Sequence, residues 1–167
     1  MSFEEIPKTG HTILVVDDDE TMARTLLRAL TRHGHQCFTA LNGDQGLKLI
    51  HETRFDLILT DLVMPGFDGV TFVRTVKSID SNIPIIMMTG YGSVDTAVEA
   101  MKAGAYDYLT KPFEVDELRL VVKRALEKLD LEQENRDLKR QLFVAADAPQ
   151  LTRTRGPAPQ VHLWPAP

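Results

Sequence analysis

The sequence ILVVDDDE at residues 13–20 places four apolar residues directly before three aspartates. A continuous apolar run, rather than an alternating one, is typical of a strand buried on both faces, as in a parallel sheet covered by helices. The runs LIL at 57–59 and IIMM at 85–88 show the same pattern. We therefore expect three central strands of a parallel sheet, each followed by polar residues.

Amphipathic segments separate these runs, and two strands of mixed polarity complete a regular alternation of strand and helix. The predicted strands are Thr12–Val16, Gln36–Ala40, Leu57–Thr60, Ile85–Met88 and Tyr106–Leu109. The predicted helices are Glu20–Arg32, Asp44–Glu52, Val70–Ile79 and Val94–Ala103, with a fifth beginning after Phe113. The predicted N-caps are Asp19, Asn42, Asp68 and Ser93. Strict alternation with short connections implies right-handed crossovers and a doubly wound α/β sheet.

The overall composition excludes several classes of protein. A chain of 167 residues and 18.7 kDa suits one domain plus an appendage. The net charge of −5 argues against direct binding of nucleic acid or of an anionic membrane. Cys37 is the single cysteine and cannot form an internal disulfide. With an acidic N-terminus and no membrane-spanning apolar run, the sequence predicts a cytoplasmic protein without membrane association.

Polar side chains follow four of the five predicted strands, at the edge where ligands bind in open α/β sheets. These are the Asp17-Asp18-Asp19 triplet, Asp61, Thr89 and Lys111. Carboxylates that face each other repel unless a cation lies between them, and hard oxygen ligands suit Mg²⁺ shared with phosphate oxygens. A lysine and a threonine hydroxyl could hold the remaining phosphate oxygens. The pattern therefore predicts Mg²⁺-dependent phosphoryl transfer to one aspartate.

Each of these residues has a simpler explanation when it is taken alone. The triplet could be a solvated turn with Asp19 as a helix cap, Thr89 a hydroxyl at a strand end, and Lys111 a surface charge. Their joint placement at the ends of four strands favours a site.

Four motifs, in order along the chain, carry a resemblance to a known family. They are ILVVDDDE at 13–20, LILTDLVMPGFDG at 57–69, MMTGYG at 87–92 and GAYDYLTKPF at 104–113. These segments resemble the receiver domain of two-component response regulators. The resemblance implies a flavodoxin-like fold with a five-stranded parallel sheet in the order 2-1-3-4-5.

The resemblance also assigns a role to each residue of the predicted site. Asp61 would accept a phosphoryl group from the phosphohistidine of a sensor histidine kinase. Asp18 and Asp61 would bind Mg²⁺ directly, or Mn²⁺ as a substitute, with Asp17 bound through water and the Val63 backbone carbonyl as a further ligand. Lys111 would contact the phosphoryl group, and its bond to Pro112 would be cis.

The resemblance also implies a conformational switch that involves Thr89 and Tyr108. The Thr89 hydroxyl would move to the phosphoryl group and the Tyr108 ring would follow inward. This movement would change the surface formed by the fourth helix, the fifth strand and the fifth helix. Alternatively, Tyr108 could be a static residue of an edge strand with its hydroxyl in water.

The last predicted helix continues past the expected end of the domain. Leu131, Asn135, Leu138 and Leu142 follow spacings of 4, 3 and 4, the a/d pattern of a coiled coil in which Asn135 would fix register and a two-stranded state. We therefore predict a homodimer through this helix, against the alternative of a solvated helical extension. The predicted organisation is an N-terminal extension at 1–10, the receiver domain at 11–128, the coiled-coil segment at 129–142 and a disordered, proline-rich tail at 143–167.

The segment EKLDLEQENRDLKRQL at 127–142 resembles the linker helix of NtrC-like, sigma-54-dependent enhancer-binding activators. Their ATPase and DNA-binding domains have no counterpart here, because no G-x-x-x-x-G-K-[ST] motif occurs and residues 143–167 are too few for a helix-turn-helix domain. The sequence leaves open a naturally short regulator and a fragment of a longer protein.

The preferred interpretation is thus a phosphorylation-controlled signalling module that is not an enzyme, apart from slow autodephosphorylation. One alternative is a constitutive interaction module that keeps the fold and leaves the pocket unused. Another is an Mg²⁺-dependent phosphohydrolase of the haloacid dehalogenase kind, whose nucleophile would instead follow the first strand.

Overall fold

Five parallel strands form the central sheet, in the order β2-β1-β3-β6-β7. The computed structural model describes residues 10–90 and 94–152, with side chains as far as residue 146. The sheet strands are β1 (Thr12–Val16), β2 (Gln36–Ala40), β3 (Leu57–Asp61), β6 (Ile85–Thr89) and β7 (Asp107–Thr110), and a two-stranded hairpin comprises β4 (Val63–Met64) and β5 (Phe67–Asp68). The helices are α1 (Glu20–Thr31), α2 (Gly43–Glu52), α3 (Gly69–Ile79), α4 (Val94–Ala103) and α5 (Val115–Thr152). With the hairpin counted apart, the predicted order 2-1-3-4-5 is confirmed.

Two apolar cores lie on opposite faces of this sheet. Leu14 and Val16 of β1 belong to the core that contains α3, whereas Ile13 and Val15 belong to the core that contains α1 and α5. Alternate residues of a strand point to opposite faces, so a strand that is apolar throughout serves both cores. Burying each large side chain contributes roughly 1.5–3 kcal/mol. The apolar runs therefore fix the sheet and, with it, the edge at which the polar residues emerge.

Three of the helices begin directly after the residues that were predicted as their N-caps. The side chains of Asp19, Asn42 and Asp68 accept hydrogen bonds from backbone N–H groups in the first turns of α1, α2 and α3. The predicted cap Ser93 lies outside the described residues. At the end of α4, Gly104 has φ +109°, and the N–H of Ala105 donates to the Ala100 carbonyl. A residue with a side chain is disfavoured at this φ.

The sequence did not predict the β4–β5 hairpin. Met64 pairs with Phe67 across the two residues Pro65 and Gly66. Gly66 has φ +71°, and proline followed by a glycine of positive φ is the arrangement of a type II turn. Strands of two residues carry no periodicity, so only the Pro-Gly pair signals this turn in the sequence.

The predicted end of the last helix at residue 142 is wrong, because α5 continues to Thr152. Residues 143–148 include three alanines, the best helix formers, and lack glycine and proline. The disordered tail predicted at 143–167 is therefore helical at its start, and residues 153–167 lie outside the described part of the chain. The chain divides into two compact units, Met1–Leu129 and Asp130–Pro167. None of the described helices is both long and apolar enough to cross a membrane.

Candidate functional site

The carboxyl edge of the sheet gathers the predicted acidic residues. Asp17 and Asp18 follow β1, and Asp61 is the last residue of β3, the neighbouring strand. One carboxylate oxygen from each of the three lies within 4.8 Å of the others. Asp17 is fully buried, and Asp18 is exposed at the mouth of the cluster. The structure thus brings together three of the residues that the sequence predicted as one site.

Lys111, which follows β7, extends its side chain into this cluster. Its Nζ lies 2.8 Å from Asp17 Oδ2 and 3.2 Å from Asp61 Oδ2. The Lys111 side chain is 18% exposed and that of Asp61 is 13% exposed, so these ion pairs are largely shielded from water. Burial alone would lower the pKa of Lys111, but the hydrogen bonds and charges of Asp17 and Asp61 outweigh it and raise that pKa. The lysine is therefore a permanent cation of the site.

The surroundings of Asp61 act on its pKa in opposite directions. Burial raises its pKa above the ordinary value, while the Lys111 charge and the Val63 N–H act in the opposite direction. The Val63 N–H donates to Asp61 Oδ1 at 3.3 Å, and the Asp19 N–H donates to Asp17 Oδ1 at 2.9 Å. Backbone donors and one ammonium thus hold the buried carboxylate of Asp17 and the partly exposed one of Asp61 in place.

Gly69 determines how closely the backbone packs behind Asp61. A Cβ at this position would lie 2.6 Å from the Leu62 carbonyl oxygen and 2.7 Å from that of Asp61. The Gly69 N–H donates to the Leu62 carbonyl at 3.1 Å. Any side chain here would displace the peptide groups that carry the acid, which explains the glycine at the first position of α3.

The two predicted switch residues occupy different environments. Thr89, the last residue of β6, is 3% exposed, and its carbonyl accepts the Lys111 N–H at 2.6 Å. Tyr108 on β7 is 39% exposed and lines an open groove of about 530 Å³ together with residues of α4. The Lys111–Pro112 peptide bond is cis.

The chemistry of the donor set fits a divalent cation. Three carboxylates and one ammonium leave a formal charge of −2 at the cluster, which Mg²⁺ would neutralise. Mg²⁺ prefers carboxylate and carbonyl oxygens and keeps several of its waters. Asp18 is exposed, so water can reach the cluster from its side.

The second unit carries the predicted coiled-coil residues. Leu131, Asn135, Leu138 and Leu142 are all exposed on α5. Gln133 accepts a hydrogen bond from Arg136 and donates one to Asp137. The polar residues between the leucines therefore bond to each other along the helix, and among the described residues the leucine stripe is exposed.

A doubly wound parallel sheet with three acids, a threonine and a lysine at its carboxyl edge defines an α/β domain built for phosphoryl chemistry. Residues 13–123 match the family model of the response regulator receiver domain. The chain belongs to this family, so the resemblance drawn from the motifs is confirmed. Receiver domains are regulatory phosphoacceptors, and as one of them the chain takes part in two-component signalling by phosphorylation.

Individual relatives support this assignment. The regulatory protein AtoC of Escherichia coli K12 is 40% identical over 126 residues, which cover 75% of this chain and 27% of AtoC. Sporulation initiation phosphotransferase F of Bacillus subtilis is 40% identical over 114 residues, covering 68% of this chain and 92% of that protein. The crystal structure of NtrX from Brucella abortus in complex with ADP superposes with a TM-score of 0.74 at 36% identity, covering 77% of this chain and 30% of NtrX. The chain thus spans less than a third of AtoC and of NtrX.

Proposed function

We propose that Asp61 accepts a phosphoryl group from a sensor histidine kinase in an Mg²⁺-dependent reaction, and that the aspartyl-phosphate controls a signalling surface and dimerisation. The observation that carries this proposal is the position of Lys111. Its ammonium lies between Asp17 and Asp61, within hydrogen-bond distance of both carboxylates. A cation held beside a partly exposed carboxylate at this edge is positioned to neutralise an incoming phosphoryl group.

In the proposed reaction, a carboxylate oxygen of Asp61 attacks the phosphorus atom. The P–O bond forms as the P–N bond to the kinase histidine breaks, and the bonding electrons leave with the imidazole. Lys111 then turns from Asp61 Oδ2 to a phosphoryl oxygen while it keeps its bond to Asp17. The Val63 N–H holds the other oxygen of Asp61, which orients the attacking one.

The divalent cation would be held by Asp18 and Asp61 directly, by Asp17 through a water molecule, and by the Val63 backbone carbonyl. When bound, Mg²⁺, or Mn²⁺ in its place, neutralises the phosphoryl oxygens during transfer. Slow hydrolysis of the aspartyl-phosphate by the protein itself would reset the module.

Phosphorylation would be transmitted by Thr89 and Tyr108. The Thr89 hydroxyl moves to a phosphoryl oxygen, and the space that it leaves admits the Tyr108 ring, which is partly exposed on β7. The change would alter the groove that Tyr108 shares with α4, and with it the signalling surface formed by α4, β7 and α5. The Leu131, Asn135, Leu138 and Leu142 stripe would join two copies of the chain, in a cytoplasmic homodimer that itself contacts neither DNA nor membrane.

The experiment is to incubate the protein with acetyl phosphate and Mg²⁺ and to measure its intact mass. We expect one added phosphoryl group in the parent and none in Asp61→Asn or in the presence of a chelator. Asp44→Asn, which removes an exposed carboxylate from α2, is the matched control and should be labelled like the parent. Equal labelling of Asp61→Asn would reject Asp61 as the acceptor, and an unlabelled, folded parent would favour a constitutive interaction module.

A further inference from the structure

The β4–β5 hairpin, which carries the backbone next to Asp61, is anchored at one point on α2. Phe67 packs against the Gly43 backbone so closely that a Cβ on residue 43 would overlap the phenyl ring, with Cγ of Phe67 at 2.6 Å. The same ring meets Phe72 edge-on, with centroids 5.8 Å apart and planes at 72°. Phe67 therefore sits in a notch that exists because residue 43 has no side chain.

The start of α2, where the notch lies, is held by hydrogen bonds. At the start of α2, the Asn42 side chain accepts the Gln45 N–H at 2.8 Å, and the Gln45 side chain accepts the Leu41 N–H at 2.9 Å. One residue before Leu41, the Ala40 carbonyl accepts the Asp17 N–H at 3.0 Å. The position of Gly43 is thus tied through backbone bonds to the strand end that carries Asp17.

The phenyl ring of Phe67 lies on the hairpin that carries the backbone next to Asp61. Phe67 pairs with Met64 and Asp68 pairs with Val63 across the hairpin, so the strand that carries the ring is paired with the strand that contains Val63. The Val63 N–H donates to Asp61 Oδ1. The Phe67–Gly43 contact consequently joins the Asp17 side of the cluster to the Asp61 side.

We propose that Phe67, seated against Gly43, is a positioning residue that sets the Val63 backbone relative to the three acids and thereby the affinity of the site for a divalent cation. This inference rests on the proposed function, in which the Val63 carbonyl is a ligand. Residues that orient the ligands of a metal typically change its affinity by 10–100-fold when they are replaced.

The test compares Gly43→Ala with Gly46→Ala, which lies one turn further along α2. Both variants add a methyl group to the same helix, but the atoms nearest to a Cβ at residue 46 would belong to Phe72 and Val16, at 3.2 Å, whereas those nearest to a Cβ at residue 43 belong to Phe67. We expect the Mg²⁺ dissociation constant, measured by calorimetry, to rise about tenfold in Gly43→Ala. It should stay within twofold of the parent in Gly46→Ala. A second change, Phe67→Leu in Gly43→Ala, makes room for the methyl group and should restore affinity.

A readout that needs no metal separates this inference from the proposed function. The Val63 amide chemical shift reports its hydrogen bond to Asp61, so it should move in Gly43→Ala and return in the double variant. An unchanged shift and Mg²⁺ affinity in Gly43→Ala, or a loss that Phe67→Leu does not reverse, would overturn the positioning role. A parent that takes up no phosphoryl group would overturn the proposed function, while the amide shifts would still decide the role of Phe67.

Discussion

Lys111 makes its shorter contact with Asp17, at 2.8 Å, and its longer one with Asp61, at 3.2 Å. Asp17 is fully buried, and a buried carboxylate without a compensating charge is costly. Lys111 therefore has a structural role beside Asp17 in addition to its proposed contact with the phosphoryl group. The weaker contact with Asp61 can be given up without leaving Asp17 unpaired.

Replacing this lysine should separate the two roles. Lys111→Met leaves the buried Asp17 carboxylate without its cation, so we expect the free energy of unfolding in the absence of Mg²⁺ to fall by about 2 kcal/mol. The more negative cluster should bind Mg²⁺ more tightly, and Mg²⁺ should restore much of the lost stability while phosphoryl uptake stays low. Denaturant titrations with and without Mg²⁺ measure this effect, with Lys123→Met at an exposed lysine as the control. Equal stability of Lys111→Met and the control without metal would contradict the structural role.

The sequence predicted the sheet and the acidic edge well, because both depend on local patterns. Apolar runs mark the strands, and a residue that follows a strand in a parallel sheet must emerge at its carboxyl edge. The pairing of Lys111 with Asp17 could not be predicted, since two residues so far apart in sequence meet only at the edge of the assembled sheet, in which β3 and β6 lie between β1 and β7. The Phe67–Gly43 contact was missed for the same reason. The predicted end of α5 is wrong because the prolines of the C-terminal segment indicate disorder, whereas the alanines that precede Pro149 favour a helix.

The switch makes a prediction about Thr89. In the proposed mechanism, phosphoryl uptake by Asp61 would not require the threonine hydroxyl to move, whereas the response of Tyr108 would. In Thr89→Ala we therefore expect uptake to persist, and the change that phosphorylation causes in the Tyr108 ring resonances to disappear. The experiment is NMR of tyrosine-labelled protein, with the intact mass measured in parallel. The control is Thr110→Ala, because Thr110 is the partner of Thr89 in the strand register. A Tyr108 signal that responds equally in the parent and in Thr89→Ala would exclude this coupling.

His35 should make the stability of the domain depend on pH. The His11 backbone N–H donates to His35 Nδ1 at 3.2 Å, so that nitrogen must be unprotonated. Burial lowers the pKa of His35 below 6.5, and the neighbouring His11 and His33 lower it further. Between this lowered pKa and 6.5 the unfolded chain binds more protons than the folded one, so the free energy of unfolding falls as the pH decreases from about 6.5.

The measurement is the free energy of unfolding of the parent and of His35→Asn between pH 7.5 and 5.5. The asparagine oxygen can accept the same N–H without titrating, so its curve should decline less at low pH. His51→Asn, at an exposed histidine, should follow the parent. Parallel curves for the parent and His35→Asn would show that His35 does not contribute to the pH dependence.

The last prediction concerns the leucine stripe of the second unit. Leu138 is 53% exposed and occupies a d position between Asn135 and Leu142. Leu138→Asp would bury one carboxylate per helix in the proposed dimer, so its dissociation constant should rise at least about tenfold, or roughly 1.4 kcal/mol. Arg140→Asp places an aspartate two residues further along, on the outer face of the same helix, and should leave a dimeric parent dimeric.

Sedimentation velocity at several protein concentrations measures both variants. Asn135→Leu adds a second criterion, since replacing an asparagine that the proposed dimer would bury at an a position should stabilise the assembly and allow states larger than two strands. If the parent is a dimer and Leu138→Asp sediments identically, the stripe is not the interface, and the dimer must form through another surface. If Leu138→Asp alone becomes monomeric, phosphoryl uptake by that variant shows whether the receiver chemistry needs the dimer. We expect it to be unchanged, because every residue of the acidic cluster lies in the first unit.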